Sequence, residues 1–263
     1  MTLTGSPRLA RITIFPVKSL DGLDVQESRV RGGAGLAHDR EYRLVDHEGQ
    51  TVNGKRLGEK LIGLRSTFDL AFGELSIDDN GDRLTARLPR DADDLERWLS
   101  ERLEWSASLE RDPELGFPDD TSATGPTVIS RATLAEVGAW FDLDEEEARR
   151  RFRANLEIDG VPPFWEDRLF SAEGETRQFQ VGHVLFEGVN PCARCAVPSR
   201  DSRTGVIADK AFAKKFAQRR KQTLPDWAEI SRFDHYYRLA VNTLLPKSEN
   251  GKTLQRGDEV RLL

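Results

Sequence analysis

The chain has 263 residues, enough for one large domain or two small ones. Its 39 basic and 45 acidic side chains give a net charge of −6, which argues against a nucleic-acid binder that works by bulk charge. No apolar run reaches the roughly 18 residues that a membrane span needs, so we expect neither nucleic acid nor membrane as a partner.

The first 88 residues are predicted to be mostly β. Apolar and β-branched runs separated by turn residues predict strands over residues 9–15, 24–31, 41–46, 67–78 and 83–88. The period then changes, and apolar residues at helical spacing predict a helix over 93–104. A segment rich in Pro, Gly and Asp follows at 112–126 and is predicted to be a linker.

The second half is predicted to be a β-rich body with helices at its edge. Thr133 and Glu136 have the spacing of a capping box and predict the start of one helix, and Asp144 is expected to cap a second. Phe212 and Phe216 mark the buried side of a helix over 209–221. Strands are predicted over 127–129, 154–159, 178–189 and 233–245, with a closing strand in the last residues.

Cys192 and Cys195 form a Cys-x-x-Cys pair. Such a pair is compatible with a redox dithiol, half of a zinc site, one metal-binding cysteine beside a bystander, or two buried apolar fillers. Pro198 and a polar run follow, so no helix of the thioredoxin type begins there, and four scattered histidines do not complete a zinc site. Arg194 favours a thiolate, the form that binds soft metals. Two cysteines cannot form a disulfide framework, and no signal peptide is evident, so we expect a cytoplasmic protein.

Cations also recur in predicted turns. Lys18-Ser19 follows the first strand, Arg40 follows a glycine-rich loop, and Arg153 and Asn155 flank the start of a later strand. Each alone is typical of a solvated surface, but together they could form an anion pocket, because Lys and Arg fit phosphate oxygens. The basic run at 214–221 is interpreted as the solvated face of its helix.

Taken together, these residues give the chain a resemblance to MOSC proteins, named for the C-terminal domain of molybdenum cofactor sulfurase. Two segments resemble the N-terminal β-barrel of that family: FPVKSL at 15–20 and GLAHDREYRLVD at 35–46. Five later segments resemble the MOSC domain itself: VISRATL at 128–134, RFRANL at 151–156, FWED at 164–167, CARC at 192–195 and RGDEV at 256–260. The motifs occur in the family's order from about residue 9 to the end, and the similar proteins include the mitochondrial amidoxime-reducing components and their bacterial counterparts.

The resemblance implies two β-barrels, an N-terminal one over 1–90 and a MOSC barrel over 121–263, joined by a helix and linker over 91–120. It also implies a pterin-bound molybdenum between them, with Cys195 as the metal ligand and a catalytic residue, and with Asp167 as a carboxylate near the metal that donates protons or orients water. The cofactor-binding positions that it implies are Lys18, Ser19, Arg40, Ser130, Arg153, Asn155 and Arg194. Relatives usually carry a Thr-Thr pair soon after the cysteine, where this chain has Ala196 to Ser199.

The implied activity is reduction of N-hydroxylated compounds, such as amidoximes, hydroxylamines and N-hydroxylated bases, at molybdenum. Gly32 to Gly35 lack the spacing of a dinucleotide-binding fingerprint, and two cysteines cannot hold an iron–sulfur cluster. Electrons are therefore expected from a separate flavin or iron–sulfur protein. Two alternatives stay open: a carrier of molybdenum cofactor or sulfur without turnover, and a dithiol oxidoreductase that needs both cysteines equally.

Overall fold

Strands dominate the protein. The structure is a computed structural model that describes residues 6–263. Fifteen β-strands and six α-helices lie in that range, which confirms a mainly β fold with peripheral helices. The first predicted domain starts at residue 1, and its first five residues lie outside the described range.

The strands and helices are numbered separately in chain order. The strands are β1 (Arg8–Ile14), β2 (Leu23–Val25), β3 (Glu27–Arg29), β4 (Tyr42–Val45), β5 (Arg65–Asp69), β6 (Glu74–Asp79), β7 (Asp82–Arg87), β8 (Ser108–Arg111), β9 (Val128–Ser130), β10 (Leu156–Asp159), β11 (Arg177–Val181), β12 (Val184–Ala193), β13 (Arg238–Leu244), β14 (Thr253–Gln255) and β15 (Val260–Leu262). The helices are α1 (Gly54–Leu57), α2 (Glu59–Ile62), α3 (Ala92–Leu103), α4 (Arg131–Trp140), α5 (Glu145–Phe152) and α6 (Phe212–Gln222).

One eight-stranded sheet organises the second half and takes two strands from the first. Its order is β15-β11-β12-β13-β9-β10-β1-β2, and β9 and β10 run parallel while the other neighbours run antiparallel. Ile12 of β1 lies opposite Leu156 of β10, and both are fully buried in the main apolar core. The first half is therefore anchored to the second by backbone hydrogen bonds.

The expected closed barrels are not found among the described residues. Within the described residues no regular strand pair closes the eight-stranded sheet. The region of β1 meets the segment that leads into β15 through one bridge, Arg8 with Glu259, and through backbone hydrogen bonds from Leu9 N to Asp258 O at 2.8 Å, from Gly257 N to Leu9 O at 2.7 Å and from Val260 N to Pro7 O at 2.8 Å. In the first half β4–β8 and β5-β6-β7 are separate small sheets, and β3 pairs with β14.

A second apolar core lies under the first-half sheets. Leu95, Leu99 and Leu103 of α3 are fully buried in it, against residues of β6 and β7 such as Ile77 and Ala86. The predicted helix over 93–104 is thus confirmed, and its spacing of apolar residues accounts for its packing.

Side-chain caps mark the starts of α4 and α5 in the second half. Ser130 Oγ accepts a hydrogen bond from Thr133 N at 3.1 Å, so α4 begins at Arg131 and not at the predicted capping box headed by Thr133. Asp144 accepts from Glu147 N at 2.7 Å and caps α5 as predicted. Phe212 and Phe216 are buried on α6, which confirms its predicted inner face. Arg220 is buried with them, so the interpretation of the basic run at 214–221 as a solvated face is wrong for that residue.

Three segments that are predicted as single long strands each contain parts of two shorter strands in the structure. The 67–78 segment belongs to a β5–β6 hairpin that turns at Gly73, and the 178–189 segment turns at Gly182. Both glycines have positive φ, 62° and 58°, which only glycine adopts without strain. The 24–31 segment divides into β2 and β3, which join different sheets.

The predicted linker has no helix or strand and bridges both halves. Phe117 N donates to Arg40 O at 2.9 Å, and Gly125 N donates to Thr243 O at 2.8 Å. These contacts hold the segment along the cleft described next.

Candidate functional site

A cleft of about 1090 Å³ runs between the two halves of the chain. This volume is at the upper end of the range for small-molecule sites, roughly 300–1,000 Å³. Its walls come from the ends of β1 and β2, the α1–α2 segment, the 115–127 segment, α5, and the end of β12 with the loop after it, which carry Cys192 and Cys195.

The charge of the cleft is opposite to that of the protein. Thirteen of its lining residues are Lys or Arg and six are Asp or Glu, whereas the whole chain is at −6. Concentrated positive charge in a concave, partly desolvated site attracts anions. The cleft is therefore suited to a ligand that carries several negative charges.

Lys18 lies on the first-half wall with its ammonium group fully engaged. Lys18 Nζ donates to Phe117 O and Pro118 O at 3.0 Å each and lies 3.0 Å from Asp119 Oδ1. The Lys18 side chain is 14% exposed and Asp119 is 71% exposed. Ser19, the next predicted residue, also lines the cleft.

Two guanidinium groups share one aromatic ring beside Lys18. The Arg153 guanidinium lies 4.2 Å from the centre of the Phe15 ring and that of Arg40 lies 5.1 Å from it. Burial, followed by the neighbouring Arg40, lowers the pKa of Arg153 to about 10. Burial also opposes the charge of Arg40, but Asp39 and Asp119 raise the pKa of Arg40. Two like charges held this close favour an anion between them.

Three of the predicted binding residues have left-handed backbones. The φ angles of Ser19, Arg40 and Arg153 are 75°, 50° and 51°. Non-glycine residues rarely adopt this region, and such conformations concentrate at functional sites. Arg153 terminates α5, and Arg153 Nη2 donates to Leu20 O at 2.6 Å, so its position is fixed from both halves.

Asn155 is a buried connector between the two halves. Its Nδ2 donates to Thr13 O at 3.0 Å, and its Oδ1 accepts from Thr127 N at 3.2 Å and from Arg40 Nη1 at 3.4 Å. It is 1% exposed yet lines the cleft wall, so it orients Arg40 as well as contacting the cleft.

Both cysteines are free and line the cleft at its second-half wall. Arg194 Nη1 donates to Cys192 Sγ at 3.3 Å and its Nη2 donates to Phe152 O. Tyr237 Oη donates to Cys195 O at 3.0 Å and fixes the backbone of that residue. The Arg194 guanidinium, which the sequence predicts to favour a thiolate, thus contacts Cys192 and not Cys195. Arg194 Nε is buried and has no hydrogen-bond partner within residues 6–263.

Ser130 and Asp167 are not among the residues that line the cleft. Ser130 is fully buried and caps α4, where its Oγ contacts Thr133. Asp167 is 3% exposed and forms an ion pair with the equally buried Arg220. Both residues belong to the motifs that resemble the family, but in the structure their buried side chains contact the start of α4 and Arg220. The catalytic role of Asp167 stays a prediction that the lining of the cleft does not support.

Several lining residues carry no signal in the sequence. Asp119 lies in a loop whose composition indicates only a linker, and its contacts with Lys18 and Arg40 join segments about 80 to 100 positions apart. Asn242 Nδ2 donates to Asn190 Oδ1 at 3.0 Å across neighbouring strands β13 and β12, and both line the cleft. Only the strand pairing brings such residues together.

Within residues 6–263 no group of three or more His, Cys, Asp or Glu side chains could hold a metal ion. In the same range, no helix combines the length and apolar composition needed to cross a membrane.

Comparison with known proteins agrees with the motifs. Residues 6–142 match the model of the MOSC N-terminal beta barrel domain, and residues 126–261 match that of the MOSC domain. The chain is similar to molybdenum cofactor sulfurases from Drosophila grimshawi, at 26% identity over 98% of this chain and 35% of that protein, and from Caenorhabditis elegans, at 25% identity over 76% and 30%.

The chain spans about a third of the length of these curated relatives. A solved structure of the YUAD protein from Bacillus subtilis aligns with a TM-score of 0.42 and 11% identity, over 97% of this chain and 94% of that one. Because each of the two family models spans about half of the sequence and together they cover residues 6–261, the chain belongs to the MOSC family, as a MOSC N-terminal domain followed by a MOSC domain.

Proposed function

We propose that the cleft binds the molybdenum cofactor and that the protein reduces N-hydroxylated compounds there. The observation that carries this proposal is the convergence of Lys18, Arg40 and Arg153 in a cleft that also presents two free thiols. A phosphate-bearing pterin with a soft metal needs this combination of an anion clamp and a thiolate. The similarity to proteins named molybdenum cofactor sulfurase supports the same cofactor.

The residues present fit such a group. The buried Arg194 Nε has no partner within the described range and lies in the cleft wall beside the thiols, so a ligand oxygen could accept its hydrogen bond. Cys195 would ligate the metal, as the motif implies. The contacts to phosphate and pterin would come from Lys18, Ser19 and Arg40 on one wall and from Arg153, Asn155 and Arg194 on the other.

When bound, the cofactor would supply two electrons for cleavage of the N–O bond, and with two protons taken up from solvent the oxygen would leave as water and the nitrogen would gain a hydrogen. The protein's part is to orient the reactants and to hold charge. The guanidinium groups of Arg40 and Arg153 would fix the anionic end of the cofactor, and Phe15 beneath both keeps their planes in place. Asn155 would maintain Arg40 in position through its contacts with both halves.

Electrons would come from a separate flavin or iron–sulfur protein in the cytoplasm. Lys214, Lys215, Arg219 and Lys221 are exposed on α6, and they could meet an acidic partner. None of the α6 residues lines the cleft, so this surface would dock the partner beside the site and not within it.

Metal analysis tests the cofactor assignment. Protein purified from a molybdenum-sufficient host should contain molybdenum and pterin. The triple variant Lys18→Ala, Arg40→Ala, Arg153→Ala should lose both, because each charge-assisted hydrogen bond contributes about 1.5–3 kcal/mol and single changes already weaken binding roughly tenfold. The matched control is Arg83→Ala with Arg97→Ala, two exposed cations outside the cleft. Full pterin occupancy in the triple variant would refute the site.

A carrier of the cofactor or of sulfur, without turnover, is the second candidate. It is favoured by the names of the sulfurase relatives and by the absence of Asp167 from the lining of the cleft. Metal-loaded protein that fails to reduce a hydroxylamine with reduced dye would favour the carrier over the reductase.

A further inference from the structure

Lys18, Arg40 and Arg153 together are called the clamp, and the Asp119 carboxylate lies against two of them, where a ligand anion would lie. Its carboxylate contacts Lys18 Nζ at 3.0 Å and Arg40 Nε at 3.5 Å. Both cations are largely buried, with 14% and 12% of their side chains exposed, whereas the Asp119 side chain is 71% exposed. The clamp is thus fixed in the wall of the cleft, and the carboxylate reaches it from the solvent side.

The cations do not depend on Asp119 for their positions. Lys18 Nζ is also held by Phe117 O and Pro118 O, and Arg40 is held by Asp39 and Asn155. Rotation of the Asp119 side chain would leave these contacts intact and free both cations toward the cleft. The backbone of the segment need not move, because Phe117 N stays bonded to Arg40 O.

We propose that Asp119 is an exchangeable internal anion, which competes with the phosphate group of the ligand for Lys18 and Arg40 and so sets the affinity of the cleft. The inference rests on the proposed function, because it assumes that this clamp takes a phosphate-bearing ligand. Only the molecules in which Asp119 is turned away can bind phosphate. The observed dissociation constant therefore equals the intrinsic one divided by the fraction of such molecules.

The size of the effect follows from the two contacts. Solvent-exposed ion pairs contribute about 0.2–1 kcal/mol each, so two of them lower phosphate affinity by roughly threefold to thirtyfold. Added salt should reduce this factor, since the Asp119 carboxylate is exposed and ions screen such charges.

The neighbouring acid offers a matched control. Asp120 also lines the cleft, but its Oδ2 accepts from Asn242 Nδ2 at 3.3 Å and forms no ion pair with Lys18 or Arg40. Asp120→Asn removes the same charge from the same segment without removing the competing contacts.

Titration calorimetry with inorganic phosphate on the cofactor-free full chain tests the proposal. Asp119→Asn should bind phosphate roughly threefold to thirtyfold more tightly than the unaltered chain. Asp120→Asn should change the affinity by less than twofold, and Lys18→Ala with Arg40→Ala should abolish binding in either background. If that double variant loses phosphate but Asp119→Asn binds it no more tightly, this proposal fails and the clamp stands. If phosphate binds to none of the proteins, the clamp and this proposal fail together.

Discussion

Asp167→Asn separates a catalytic from a structural role for a residue that the family motif places near the metal. The substitution removes the negative charge of a buried ion pair and keeps the size of the side chain. Asp167 is 3% exposed and Arg220 is 1% exposed. The guanidinium of Arg220 lies 4.2 Å from the ring centre of Phe164 and 5.1 Å from that of Phe233.

The expected loss of stability is large because Arg220 loses the anionic partner with which it forms its buried ion pair. Its Nε and Nη1 already lack hydrogen-bond partners within residues 6–263, so Asp167→Asn leaves a buried cation with aromatic contacts and a neutral amide oxygen as its acceptor. Removing one partner of a buried pair costs about 3–5 kcal/mol. That is a sizeable part of the 5–15 kcal/mol by which domains are usually stable.

Urea unfolding followed by tryptophan fluorescence measures the effect. With a denaturant slope of about 2–3 kcal/mol per M, the midpoint of Asp167→Asn should fall by about 1–2 M. Arg220→Met in the same chain removes the unpaired charge, so the double variant should recover much of the loss, and it keeps the test valid if the single variant does not fold. The matched control is Asp120→Asn, a change at a carboxylate without an Arg partner.

The opposite pattern would refute this reasoning. If Asp167→Asn unfolds at the midpoint of the unaltered chain, binds cofactor normally and loses turnover, Asp167 acts on the reaction and its pairing with Arg220 is incidental.

Three further predictions concern pH, the thiols and the electron donor. Burial, with the nearby Asp167, raises the pKa of Glu166 to about 7. The contribution of Glu166 to the free energy of unfolding is therefore fully present below pH 4.5 and is lost as pH rises through 7. Glu166→Gln should remove this pH dependence and raise the free energy of unfolding at pH 8 by up to about 3 kcal/mol, measured by urea unfolding across pH. Cys195→Ser should abolish molybdenum content and turnover while Cys192→Ala retains most of both, and equal losses would support a dithiol reaction instead. Metal-loaded protein should reduce a hydroxylamine with reduced dye or a separate reductase, and robust turnover with NADPH alone would contradict the need for a second protein.

The sequence predicts elements better than it predicts contacts. The spacing of Leu95, Leu99 and Leu103 defines α3, and Asp144 defines the start of α5, because each signal is local. The hairpin turns at Gly73 and Gly182 were missed because an isolated glycine inside an apolar alternation does not show whether the chain turns.

In the candidate site, too, the sequence predicts individual residues better than it predicts the contacts between them. Lys18, Arg40 and Arg153 were predicted from motifs and do line one cleft. The contacts of Asp119 and the shared Phe15 ring depend on three segments that are distant in sequence, and no local pattern encodes them. Whether a motif residue faces the cleft or the core, as with Asp167, is decided by packing that the motif does not describe.

The hydrogen bonding of β1 affects how the protein is made. β1 is synthesised well before its partner β10, and Arg8 Nη1 donates to Gly257 O across 249 residues of sequence. Until those segments leave the ribosome, β1 has an unpaired edge, and long-range pairing of this kind is slow and exposes strands to aggregation. We expect the growing chain to need a chaperone or a lowered growth temperature, and the two halves not to fold when produced separately.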